Sequence, residues 1–173
     1  MEDWDVIVIG AGSAGCALAG RLALAGRGRI LVLEAGPRDL NPWLHLPIGY
    51  GKTFYHPRLN WMYRTESQPG LAGREIYQPR GKVVGGSSAI NAMVYMRGQP
   101  EDFDGWEAMG NPGWGWREVL ATYRRMEDHA LGSSAWHGAG GPVHVEDISQ
   151  AVHPLTPLFV KAAQEAGLPF NPV

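Results

Sequence analysis

The chain has 173 residues, enough for one domain or slightly more, with 45% hydrophobic and 18% charged residues, so it can bury a core and is not disordered. A formal net charge of -2 gives no electrostatic footprint for nucleic acid or an anionic membrane surface. Gly and Pro together exceed one residue in five (24 and 13) without a strict period, which excludes collagen and predicts many turns. The single cysteine, Cys16, rules out an internal disulfide and fits a reducing compartment. The N-terminus is acidic where an export signal is basic, and no run approaches the ~18 apolar residues of a membrane helix. A cytoplasmic protein without a clear membrane segment is expected.

Val6–Ile9 is a continuous β-branched run that predicts a strand buried on both faces. Gly10-Ala11-Gly12-Ser13-Ala14-Gly15 follows at once. Cys16 to Ala25 is rich in Ala and Leu and predicts a helix that stops near Gly26 and Gly28. Arg29–Glu34 predicts a second buried strand with an acid at its end. The whole is a β-α-β unit of about thirty residues with a right-handed parallel crossover.

Residues 37–60 carry Pro, Asn, Gly, His and aromatics with no sustained period, so a long ordered loop is expected. Residues 61–65 and 75–78 flank a Gly/Pro turn and predict a hairpin. Then comes Gly81-Lys82-Val83-Val84-Gly85-Gly86-Ser87-Ser88-Ala89-Ile90-Asn91. Residues 101–109 and 116–128 read as helices, with a loop through 132–141, a short strand at 143–145 and a last helix at 156–166.

A lone GxGxxG is weak evidence. Here it follows a strand, opens a helix, and is followed by a second strand that ends in Glu34, nineteen residues past Gly15. Gly10 permits the tight turn, Gly12 has no Cβ to block a pyrophosphate, and Gly15 lets helix and strand pack closely. Ser13 and Ala14 lie at the helix N-terminus, whose free N–H groups and partial positive charge suit a diphosphate. Glu34, with Ala35 beside it, can accept hydrogen bonds from ribose hydroxyls and would repel a 2′-phosphate, which disfavours NADP. The turn alone does not choose between NAD and FAD. In the later stretch Gly86 lets backbone approach a ligand, Ser87 opens a short helix, and Asn91 offers both donor and acceptor.

That stretch, continued by Tyr95, Gly98 and Asp104, resembles the first signature of the glucose–methanol–choline (GMC) oxidoreductases, most nearly their choline dehydrogenase-like branch. Asn60-Trp61-Met62-Tyr63, Trp114-Gly115-Trp116 and Trp136-His137-Gly138 are similar at matching places. The resemblance implies a Rossmann-like α/β FAD-binding fold and an enzyme that oxidises the CH–OH group of a primary alcohol, choline-like or other, by hydride transfer to flavin. It implies that Asn91, Ala92, Met93 and Val94 lie along the flavin, that Val84 touches it through its backbone, and that Trp61 lies near it. Two glycine-lined surfaces would then clasp one FAD from both ends. Some members attach FAD through a histidine just before the asparagine; Ile90 stands there, so the FAD is expected to be non-covalent.

By the same resemblance the chain divides into a β-α-β unit (1–36), a loop and hairpin (37–80), the flavin-contacting segment (81–104) and the start of the substrate side (105–173). The family's catalytic histidine with its histidine or asparagine partner matches no position here, so no catalytic residue is assigned. The chain is expected to be the N-terminal part of a larger or split enzyme that pairs with the remainder. The rival readings are an NAD-dependent Rossmann enzyme and a non-catalytic nucleotide-binding fragment. His137, His144 and His153, seven and nine residues apart and near no cysteine, predict no metal site. Trp106, Trp114 and Trp116 are expected to pack helices against the flavin domain, Cys16 to pack its helix, and Lys82 has no assigned role.

Overall fold

A computed structural model describes residues 3–149 and 151–170. It divides into two compact units, Met1–Val94 and Tyr95–Val173, a boundary that falls inside the expected 81–104 segment.

The first unit opens with β1 (Val6–Ile9), α1 (Ser13–Leu24) and β2 (Ile30–Leu33). β1 and β2 pair in parallel from Val6↔Ile30 to Ile9↔Leu33. Asp5 fixes that register: its carboxylate accepts from Arg29 N at 2.7 Å while its own N–H reaches Arg29 O at 3.0 Å. α1 ends as the glycine predicts. Gly26 takes φ +62, its N–H returns to Ala23 O and that of Arg27 to Leu22 O, which satisfies the last carbonyls.

The expectation of a strand buried on both faces is corrected. Val8, 6% exposed, lies under α1, whereas Ile7 and Ile9 on the other face are 56% and 87% exposed. Two strands and one helix cover one face only, and among the described residues nothing covers the second. Cys16 is exposed too, its thiol donating to Ala11 O at 3.2 Å, so it does not pack the helix as expected.

The 37–60 segment is ordered by short helical turns, two of them begun by a proline. Pro42–Leu44 and Pro47–Gly49 are 3₁₀ turns, followed by α2 (Tyr50–Thr53). Asn41 caps the first by accepting from Trp43 N at 3.0 Å. The hairpin forms as β3 (Tyr63–Arg64) against β4 (Tyr77–Gln78), antiparallel. Asn60, 2% exposed, anchors its base: the amide donates to Phe54 O at 2.8 Å, and Oδ1 accepts from Met62 N at 2.8 Å and Arg80 N at 3.0 Å. Both polar atoms of this buried carboxamide are thus hydrogen-bonded.

The second unit holds α3 (Pro100–Ala108), α4 (Trp116–Met126), β5 (Glu127–His129), β6 (Val143–Val145) and α5 (Thr156–Glu165). Its core is aromatic. Phe103 is 6% exposed, with ring centroids of Trp106, Trp116 and Tyr123 at 5.3, 5.5 and 6.2 Å. The tryptophans therefore pack one another within this unit. α4 stops two residues short of expectation because Glu127 turns extended and pairs in parallel with Val143. No helix among the described residues is long and apolar enough to cross a membrane.

Candidate dinucleotide site

The turn between β1 and α1 is built by hydrogen bonds that leave its helix end open. Gly10, at φ +94, sends its N–H to Leu33 O at 2.7 Å, tying the turn to the end of β2. A Cβ on Gly15 would stand 1.9 Å from Gly10 O, so only glycine lets α1 approach this closely. Gly12 caps α1 without a side-chain hydrogen bond, and α1 has no acid in its first turn. Among the described residues no acceptor faces the N–H groups of Ser13 and Ala14. Unsatisfied donors at a helix start, beside a glycine whose Cβ position is open, suit an anion.

Glu34 lines this turn and also holds it. Its Oε2 accepts from Ala11 N at 2.7 Å and its Oε1 from Gly36 N at 2.9 Å. Each oxygen keeps a further lone pair for a hydroxyl. The acid expected to meet a ribose is therefore first a brace between the turn and the strand end.

The 81–91 stretch lies directly against the turn. Gly85 N donates to Ala11 O at 2.7 Å, and a Cβ on Gly86, at φ +59, would come within 2.7 Å of Gly12 Cα. Ser13 Oγ donates to Ser88 Oγ at 2.9 Å, and Ser88 in turn donates to Gly85 O at 2.6 Å. Val83, fully buried, and Gly36 are in backbone contact range of each other. The two glycine surfaces thus touch at Gly12 and Gly86. Glycine at 86 makes room for the other glycine turn. The helix expected at Ser87 is a 3₁₀ turn, Gly86–Ala89.

A cleft of about 600 Å³ runs along this junction. Of the residues expected from sequence, it is lined by Gly10, Gly12, Ser13, Ala14, Gly15, Glu34, Ala35, Trp61, Gly86 and Ser87. Val84 and Asn91, Ala92, Met93 and Val94 do not line it. The last four form an exposed run after the 3₁₀ turn, with Asn91 Oδ1 accepting from Met93 N at 2.9 Å. The cleft adds Ile9, Leu33, Tyr63, Arg80 and Gly81, which sequence reasoning missed. Ile9 and Leu33 were discoverable, since ligands of open α/β sheets bind at the carboxyl ends of strands. Tyr63 stacks on Trp61 at 5.8 Å and 7°, and Lys82 Nζ sits 4.5 Å over the Trp61 ring. Lys82 thereby gains a structural place: it backs an aromatic wall of the cleft.

Away from the cleft, the three histidines considered for a metal stay apart. His144 pairs with Asp128 and Glu146, and His153 accepts from Leu155 N. Instead Glu127, His129 and His137 converge. Glu127 accepts from Gly138 N at 2.7 Å and His137 Nδ1 at 3.1 Å and pairs with Arg97 at 2.8 Å, while His129 Nδ1 accepts from Leu131 N. Burial alone would raise the Glu127 carboxyl, but the Gly138 N–H, His137 and the Arg97 charge outweigh it and hold the group below its ordinary range.

A family model described as GMC oxidoreductase matches residues 4–173. The chain belongs to this family. The N-terminal domain of GMC oxidoreductases is their FAD-binding domain, and that is the fold seen here. The chain is 44% identical over 169 residues to alcohol dehydrogenase [acceptor] of Pseudomonas putida, covering 97% of this chain and 30% of that protein. It is 44% identical over 177 residues to the mitochondrial choline dehydrogenase of Homo sapiens, covering 98% and 30%. Among solved structures, pyridoxine 4-oxidase from Mesorbium loti aligns with a TM-score of 0.88 at 40% identity, over 96% of this chain and 33% of that one. The chain therefore spans about a third of the length of the GMC relatives it matches.

Proposed function

We propose that the chain holds FAD non-covalently in the cleft between the Gly10–Gly15 turn and the Gly81–Ser88 stretch, as part of an enzyme that oxidises a primary alcohol, choline-like or other. The observation that carries this reading is the pair of acceptor-less N–H groups at Ser13 and Ala14, set beside the open face of Gly12 within a cleft also lined by Glu34. Bound FAD supplies an acceptor for the hydride that leaves the alcohol carbon.

The chain's own residues bind and orient. Ser13 and Ala14 donate to the diphosphate, and the remaining lone pairs of Glu34 accept from the adenosine ribose while its charge disfavours a 2′-phosphate. Trp61 and Tyr63 give a flat wall, and Val84 and Asn91–Val94 are assigned to the flavin end. Relatives named for choline and for alcohol support the substrate class. We assign the base that takes the hydroxyl proton to sequence outside residues 1–173. Ile90 offers no atom for a covalent link to the flavin.

The test is spectroscopic. The purified enzyme should show a flavin band near 450 nm, release all of its flavin on denaturation, and bleach anaerobically with choline or another primary alcohol. A colourless protein that takes up no FAD defeats the proposal. Flavin retained by the denatured chain defeats its non-covalent part.

A further inference from the structure

A second cavity of about 460 Å³ lies in the first unit, lined by Pro37, Arg38, Leu40, Asn41, His56, Arg58 and Leu59. It shares no lining residue with the dinucleotide cleft. Both of its walls hang from the same segment: Pro37 O accepts from Val84 N at 3.0 Å, and Leu59 O accepts from Lys82 N at 2.8 Å. The 82–84 run, whose Val83 is fully buried, thus fixes the two sides relative to each other.

The lining residues include two arginines and no acidic residue. Neither Arg38 nor Arg58 has a side-chain partner among the described residues, whereas Arg97 is paired with Glu127 and Arg117 with Glu118. His56 Nδ1 accepts from Arg58 N at 3.3 Å, so the neutral ring carries its proton on Nε2 and presents it as a donor. Asn41 uses Oδ1 to cap Trp43, which leaves its NH₂ as a further donor. Every unspent polar side-chain group in this cavity donates. Two like charges on one cavity repel until an anion joins them, and two guanidinium forks with an imidazole N–H exceed what the two oxygens of a carboxylate can accept.

We propose that this cavity is a binding site for a phosphate-type oxyanion, held by Arg38 and Arg58 with His56 Nε2–H as a third donor. It is independent of the flavin reading. The source is either free inorganic phosphate or a phosphate monoester, and the cavity has room for an ester's organic part.

Calorimetric titration of the folded enzyme at fixed ionic strength, with FAD in excess, tests this, with inorganic phosphate, glycerol phosphate and acetate as probes. Saturating FAD first keeps phosphate from being read at the dinucleotide turn. Phosphate should bind, acetate should not, and Arg38→Gln or Arg58→Gln should each weaken phosphate about tenfold or more. Arg21→Gln, which removes a charge from the exposed end of α1, should leave it unchanged. Glycerol phosphate binding more tightly than phosphate assigns the site to an ester, and equal or weaker binding assigns it to the free ion. No heat up to ~10 mM phosphate, acetate binding as well as phosphate, or indifference to both arginine substitutions overturns the proposal. Both variants alter exposed, unpartnered side chains, so circular dichroism should match the parent.

Discussion

Gly12 and Gly15 sit three residues apart in one turn and answer to different physics. Gly15 is required by the protein itself, since its Cβ would strike Gly10 O at 1.9 Å. Gly12 is not: at φ -82 and ψ -171 an alanine fits, and its Cβ would meet nothing closer than Gly86 Cα at 3.8 Å. Gly15→Ala should therefore fail to give folded protein, because a backbone oxygen cannot move aside. Gly12→Ala should fold with stability within about 1 kcal/mol of the parent while FAD affinity falls about tenfold or more. Thermal melts and equilibrium dialysis read the two effects separately. Unchanged FAD affinity in Gly12→Ala would remove the turn from the cofactor site. The Gly15 constraint was legible in the sequence because strand, glycines and helix follow one another without a break. The contact of Gly86 with Gly12 was not, because it joins positions 74 apart (86 − 12) and no local pattern records it. Arg80 was hidden for the same reason, brought to the cleft by the Asn60 anchor across the hairpin base.

At the scale of elements, the sequence places the β-α-β unit, the hairpin and α3, α4 and α5 nearly correctly, since each has a local period or a stop signal. The α4 boundary is where tertiary structure wins. Glu127 continues a helical pattern, yet its fully buried carboxylate collects Gly138 N, His137 and Arg97, and that demands extended backbone. Its acidity has a consequence of definite sign. The folded group titrates below its ordinary range, so it contributes stability that is fully present above the unfolded value of about 4.3 and is lost as pH falls through the lower folded value. Melting temperature should therefore drop more steeply below about pH 4.3 in the parent than in Glu127→Gln. At neutral pH that variant should cost about 3–5 kcal/mol, because Arg97 is left without its charge partner. Melts of both proteins between roughly pH 3 and 7 decide it, and parallel pH slopes would show that Glu127 is not the responsible group.

For the whole molecule, composition promised a core that these residues do not complete by themselves. Hydrophobic residues are 45% of the chain, yet the buried apolar side chains among the described residues are Val8, Ala11, Leu59, Val83, Ile90 and Phe103. Ile7 and Ile9 of β1 stand exposed, as do Leu158 and Phe159 of α5, at 62% and 76%. Parallel sheets are stable when both faces are covered, and chain entropy of about 1–2 kcal/mol per residue must be offset by burial. The sequence showed the strand as a continuous apolar run and so implied a cover for both faces; it did not show that residues 1–173 supply one. The GMC relatives, about three times as long, supply far more chain with which to cover it. Expressed alone, residues 1–173 should bind a hydrophobic dye, elute ahead of a monomer and melt without a cooperative transition. Replacing Ile7 and Ile9 by threonine in that isolated piece should reduce its self-association, because it takes apolar surface off an uncovered sheet face without touching the Val8 side. A sharp melt and a monomeric elution volume for the unaltered piece would mean that this face needs no cover, and that six buried side chains are enough.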